Sequence, residues 1–213
     1  MKKHIICYGD SNTHGYDGDS GQRFSEQIRW TKILQEKLGQ DYLVIEEGLN
    51  GRTTVFEDPI QEGMSGLSTI SPILLSHEPL DLLIIMLGTN DTKERFSSSA
   101  QTISFGLARL IKKAIDTNCW NDKPSILVIS PKSIDDDYIN GPFVTNMGNG
   151  CSLKSKELAK YFKEICDMLG VNFIDAEKLG LTNNKKDFMH LDAQSHEKLA
   201  EYLCKYIKEN LLN

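Results

Sequence analysis

The sequence predicts an α/β fold in three layers, a parallel sheet covered by helices on both faces. Two observations carry this. Five short segments rich in Ile, Leu and Val recur along 213 residues, and between them apolar residues fall at the spacing of an amphipathic helix. Strands that are apolar almost throughout are buried on both faces, and their alternation with helices marks a parallel sheet whose crossovers pack above and below it. The length suits one core of this kind, and no linker or repeat divides it, so residues 1–213 are read as a single domain.

In chain order, the strands are expected at His4–Tyr8, Tyr42–Ile45, Asp81–Leu87, Ser125–Ser130 and Val171–Ile174. The first helical stripe is Trp30, Ile33, Leu34 and Leu38, and the second is Ile103, Leu107, Leu110, Ile111 and Ala114. A third runs through Leu158, Phe162, Ile165 and Leu169, and a fourth through Leu199, Leu203, Ile207 and Leu211, with Asp192 as N-cap of that last helix. All four are expected to be used in covering the sheet. Pro131–Gly150 follows neither period. Its apolar residues Ile134, Tyr138, Ile139, Phe143, Val144 and Met147 stand singly among Asp and Gly, and a loop of this length in a compact domain is expected to roof a binding pocket.

Hydrophobic residues at 39% and charged ones at 25%, without biased runs, exclude disordered, collagen-like and coiled-coil classes. Lys and Arg number 24 against 30 Asp and Glu, a net charge of −6, and the basic residues are scattered, so neither nucleic acid nor an anionic membrane is an expected partner. The longest apolar run, Leu82–Leu87, is far short of the roughly 20 residues of a membrane span. Met-Lys-Lys followed by about four apolar residues is too short for a signal-peptide core, and the expected location is cytoplasmic. The five cysteines (Cys7, Cys119, Cys151, Cys166 and Cys204) are odd in number and lack C-x-x-C spacing, so no disulfide framework and no zinc site is expected. The expected partner is a small molecule; self-association into a homo-oligomer is left open.

In an open α/β sheet the ligand sits beyond the carboxyl ends of the strands. After the first strand comes Gly9-Asp10-Ser11-Asn12, which is either a tight capped turn or a device that presents Ser11 as a nucleophile with its N–H aimed into the crevice. After the second come Gly48 and Gly51; the N–H of such a glycine also serves as an oxyanion donor. After the third comes Gly88-Thr89-Asn90-Asp91. Near the last helix, Asp187 precedes His190 by three residues, a spacing that lets the carboxylate hold the imidazole Nδ1–H and leave Nε2 to take a proton from Ser11. Asp10 and Asp91 are expected to accept from turn N–H groups. His4, His77 and His196 are expected in structural or solvated roles, His14 either there or lining the cleft after the nucleophile block, and Arg23, Arg29, Trp30 and Arg52 in ion pairs and packing.

These four blocks, in this order, resemble the SGNH or GDSL hydrolases. The intervening sequence is similar to the bacterial arylesterase/acyltransferase branch, notably Ile5-Ile6-Cys7-Tyr8-Gly9-Asp10-Ser11, Val44-Ile45-Glu46-Glu47-Gly48-Leu49 with Arg52-Thr53-Thr54, and Pro79–Lys93. The resemblance implies a flavodoxin-like α/β/α sandwich of five parallel strands and hydrolysis or transfer of acyl groups without a cofactor or metal. It implies Ser11 as nucleophile, His190 as base and Asp187 as its orienting carboxylate. The oxyanion hole would be the N–H of Ser11, the N–H of Gly51 and the amide of Asn90. One position departs from the pattern: a small residue, often Gly, usually follows the aspartate, where Phe188 stands here, either crowding the turn or pointing outward. The expected substrates are small soluble carboxylic esters with short acyl groups, since the Pro131–Gly150 loop suits a small pocket better than a long channel. A competing class is a flavodoxin-like nucleotide- or flavin-binding module, but Gly9 to Gly15 matches neither G-x-G-x-x-G nor G-x-x-x-x-G-K-[ST].

Overall fold

The computed structural model describes residues 2–212. Strand β1 (Lys3–Gly9) sends alternate side chains to opposite faces, Ile6 and Tyr8 to one and Ile5 and Cys7 to the other, all fully buried. It is followed by a four-residue helix α1 (Ser11–His14), then α2 (Trp30–Leu38), β2 (Tyr42–Gly48), α3 (Gly66–Ser76), β3 (Leu82–Met86) and α4 (Ala100–Asp116). The second half holds β4 (Ile126–Ser130), α5 (Val144–Met147), α6 (Cys151–Leu169), β5 (Asn172–Asp175) and α7 (Ala193–Asn210). The strands form one parallel sheet in the order β2-β1-β3-β4-β5. Winding proceeds from β1 to one edge and then from β3 to the other, so the crossovers diverge between β1 and β3 and open a crevice at the strands' carboxyl ends.

Helices α3, α4 and α6 cover the face that carries Ile6 and Tyr8, while α2 and α7 cover the other. Each fully buried Leu, Ile or Phe of these stripes contributes about 1.5–3 kcal/mol. The five strands and four helices expected from the sequence are all present, with strand ends moved by up to three residues. Asp192 caps α7, its carboxylate accepting the Ser195 N–H at 2.8 Å.

Two expectations are corrected. Five helices of nine or more residues cover the sheet among the described residues, because α3 was not anticipated. Its Ile70 and Leu74 lie on one buried face, but Pro72 inside the helix and the Ser and Thr around it carry the composition of a loop. The apolar residues of Pro131–Gly150 do not stand singly either. The segment coils into a 3-10 turn (Asp136–Asn140) and α5, gathering Ile134, Tyr138 and Met147 with Cys151 and Met189 into a small third cluster, against which Phe143 and Phe188 pack. Ile139 alone of these residues is strongly exposed, at 59%. All five cysteines are free, four of them buried. No helix among the described residues is long and apolar enough to cross a membrane.

Candidate active site

Gly9 ends β1, and Asp10 caps the helix that follows by accepting the Asn12 N–H at 2.9 Å. Ser11 is thereby the first residue of α1, at the mouth of the crevice, and its own N–H has no acceptor among the described residues. Ser11 Oγ lies 2.8 Å from His190 Nε2, and His190 Nδ1 lies 2.8 Å from Asp187 Oδ2. With Nδ1–H donating to the carboxylate, Nε2 is the acceptor for the serine hydroxyl.

The Asp187 turn is built around that carboxylate, whose Oδ1 accepts the N–H groups of Met189 and His190 at 3.1 and 3.0 Å. Burial pushes the Asp187 carboxyl up, but these bonds and the His190 ring outweigh it and hold the group below its ordinary range. Asp187 is fully buried partly because Gly18 lies against it: a Cβ at Gly18 would stand 2.1 Å from Asp187 Oδ2. Phe188 adopts a left-handed φ of +65°, the conformation that makes glycine the easier residue here. Its ring packs on the third cluster, and its carbonyl accepts from Asp135 N–H at 2.9 Å.

His190 is braced from other elements. Asn12 reaches the chain on both sides of it, accepting from Leu191 N–H at 2.8 Å and donating to the Met189 carbonyl at 3.4 Å. The rings of Tyr16 and Phe143 stand 4.5 and 5.6 Å from the imidazole.

Gly51 sits in the turn after β2 at φ +88°, which a side chain would strain, and its N–H has no acceptor among the described residues. The Asn90 amide donates one hydrogen to the Arg52 carbonyl at 3.2 Å, which orients the group and leaves the other hydrogen for the cleft. Ser11, Gly51, Asn90 and His190 line one cleft of about 170 Å³ with Tyr16, Phe143 and Met147 on its walls. Two buried carboxylates support it from behind. Asp91 accepts the Thr54 N–H at 2.9 and 3.0 Å and the Thr54 hydroxyl, tying the turn after β3 to the loop after β2. Burial pushes Asp10 and Asp91 each up to about 6.

Ser11, Gly51, Asn90, Asp187 and His190 therefore meet as the spacing suggested. His14 does not line the cleft. Arg29 and Arg23 pair with Glu46 at 2.9 and 3.5 Å, and Arg52 lies 4.1 Å over the Tyr8 ring with Nη1 on the Gly9 carbonyl at 2.9 Å. His196 is buried on α7, its Nδ1 accepting from Trp30 N–H at 3.2 Å, and His77 pairs with Glu47 at 3.0 Å. Not anticipated were the bracing by Asn12, the Tyr16 ring and the side chain of Lys93. Asn12 stood in the first block, but only the tertiary docking shows that it meets residue 191. No three His, Cys, Asp or Glu side chains gather as a metal site among the described residues.

Residues 7–198 match the family described as the GDSL-like Lipase/Acylhydrolase family. The chain is similar to the M. smegmatis aryl esterase structure at 33% identity and a TM-score of 0.91, over 98% of this chain and 100% of the other. It is similar to Est24, a carbohydrate acetylesterase from Sinorhizobium meliloti, at 32% identity and a TM-score of 0.90, over 98% and 99%. A structure from the lipolytic protein G-D-S-L family of Veillonella parvula, 19% identical at a TM-score of 0.70 over 98% and 100%, shares the fold. No curated protein matched.

Proposed function

The chain belongs to the GDSL-like Lipase/Acylhydrolase family, and on that premise we propose that it is a serine esterase that cleaves small soluble carboxylic esters through an acyl-enzyme. The observation that carries this is the line of hydrogen bonds from Asp187 through His190 to Ser11, each 2.8 Å, with Ser11, Gly51 and Asn90 lining the same cleft. Ser11 Oγ attacks the ester carbonyl as its proton passes to His190 Nε2, and Asp187 steadies the imidazolium that results. The oxyanion is received by the N–H groups of Ser11 and Gly51 and by the Asn90 amide, each such donor being worth about 10²–10³ in rate. Collapse expels the alcohol, which takes the proton from His190. Water then gives a proton to His190 and attacks the acyl-serine, and the collapse that releases the acid returns that proton to Ser11 Oγ; an alcohol in place of water yields a new ester.

The cleft of about 170 Å³ supports acetyl to butyryl groups rather than long chains. The test is turnover of p-nitrophenyl esters from two to twelve acyl carbons, by the parent chain and by Ser11→Ala. The fastest turnover is expected at two to four carbons, and the variant is expected to fall about 10³-fold or more. A maximum at eight carbons or beyond refutes the small pocket; a variant within tenfold of the parent refutes the nucleophile. Added alcohol is expected to divert part of the acyl group to its ester.

A further inference from the structure

Lys93 is a buried cation with unused donors. It ends the short turn that starts at Asn90, its N–H on the Asn90 carbonyl at 3.3 Å. Its side chain, 4% exposed, lines the same cleft as Ser11 and His190. Among the described residues its ammonium has one hydrogen bond, to Asp58 Oδ2 at 3.3 Å. That oxygen is shared with Arg95, whose Nε and Nη2 approach it at 3.3 and 3.1 Å. Arg95 gives its other hydrogen bonds to Asn146, reaching the carbonyl at 2.7 Å and Oδ1 at 2.9 Å. Two cations share one carboxylate oxygen, and Lys93 is the member with hydrogens to spare.

An ammonium offers three donors, and buried polar groups are ordinarily matched. No carboxylate lines the cleft among the described residues to match this one. Asp10 and Asp91 lie behind it, turned to the N–H groups of Asn12 and Thr54. Burial, with the nearby Arg95 charge, pulls the Lys93 pKa below that of an exposed lysine and outweighs the opposing charges of Asp58 and Asp91, so the charge is held at a cost that a bound anion would offset.

The side of the cleft follows from the chemistry. The departing alcohol must collect its proton from His190 Nε2, so it leaves on the His190 side. Lys93 belongs instead to the turn that carries the oxyanion donor Asn90, which assigns it to the acyl side. Resting on the esterase reading above, we infer that Lys93 selects esters whose acyl portion ends in a carboxylate, the half-esters of short dicarboxylic acids, by offering that carboxylate its free N–H donors. A chain of about four carbons suits the size of the cleft.

The test compares kcat/KM for monoethyl succinate with that for ethyl butyrate, and for acetoxyacetate with that for propyl acetate, each normalised to its rate of hydroxide hydrolysis. The parent chain is expected to favour the succinate half-ester by about tenfold or more, as a hydrogen bond to a buried charge does. Lys93→Met, which leaves Asp58 its Arg95 partner, is expected to bring the ratio to about one or below, and Lys93→Arg to keep part of it. A parent ratio at or below one overturns the inference without any variant, while the esterase reading stands on the turnover of the neutral esters. A preference for acetoxyacetate instead puts the carboxylate on the alcohol side and overturns it too. No turnover of any of the four esters overturns the inference, and the p-nitrophenyl ester assay decides the esterase reading separately.

Discussion

Asn12 and Leu191 lie 179 residues apart, and the Oδ1 of one accepts the backbone N–H of the other at 2.8 Å. With its Nδ2 on the Met189 carbonyl, Asn12 grips the chain on both sides of His190, so the neighbour of the serine sets where the histidine stands. Asn12→Ala strands two backbone groups in buried residues and is expected to cost about 1–3 kcal/mol in stability. It is also expected to lower kcat about 10- to 100-fold with KM little changed, through misplacement of the base. Thermal melts and steady-state kinetics read both, and a raised KM at unchanged kcat would assign Asn12 to substrate binding instead.

Asp187 and Asp192 both stand close to His190 in sequence, but they serve different groups. Asp187 holds the ring at 2.8 Å, whereas Asp192 caps α7 and accepts the Thr182 hydroxyl at 2.5 Å. Asp187→Asn is expected to drop kcat about 10⁴-fold with the fold retained, because the amide favours the wrong imidazole tautomer. Asp192→Asn keeps a capping side chain and is expected to leave kcat within a few-fold. A larger kinetic loss in the second variant would reverse the two roles.

For Asn90, the single hydrogen bond to Arg52 orients the amide and leaves one N–H to meet charge that develops only in the tetrahedral state. Asn90→Ala is expected to lower kcat about 10²–10³-fold at nearly constant KM. If KM rises and kcat holds, the amide binds the ground state and is no oxyanion donor.

The buried His196 gives stability a pH dependence of known sign. Burial lowers its pKa from 6.5 to about 4 in the folded chain, so between those values the unfolded chain binds the extra proton. Its contribution, up to about 3 kcal/mol, is complete above pH 6.5 and is lost as pH falls toward 4. Asp10 and Asp91 act in the opposite sense: with pKa values raised from 3.8 to about 6, they favour the folded state at low pH and lose that as pH rises through 6. Urea unfolding of the parent and of His196→Asn at pH 7 and pH 4.5 separates the terms. The parent is expected to lose about 2 kcal/mol more than the variant on acidification; equal losses would remove His196 from the account.

Where the fold was legible, the signal was local. Ile5 to Tyr8 and Leu82 to Met86 read as strands because they are apolar on both faces, and α7 was announced by its stripe and by Asp192. Helix α3 was hidden because Pro72 and its hydroxyl-bearing neighbours oppose helix propensity, and only packing of Ile70 and Leu74 against the sheet overrides them. The site divides the same way. Asp187 and His190 share one turn, and Ser11 follows a strand directly, so spacing was informative. The placement of Asn12, Tyr16 and Lys93 depends on which loops dock, information carried by the sheet order rather than by neighbours in sequence. Asp91 shows the boundary: an N–H partner was expected, and the hydroxyl-bearing one that the carboxylate also meets, Thr54, stands on another loop.

The separation of Ser11 from His190 along the chain also makes the protein its own folding clock. Helix content can return to a refolding chain piece by piece, since α4 or α6 needs only its own residues and a surface to lie on. Ester cleavage cannot return until the turn before α7 has seated against α1, which closes the longest loop between the two reacting groups. A stopped-flow trace of chromogenic ester turnover during refolding would thus time that final seating, and its lag behind the far-ultraviolet helix signal would measure how long the chain stays compact yet chemically silent.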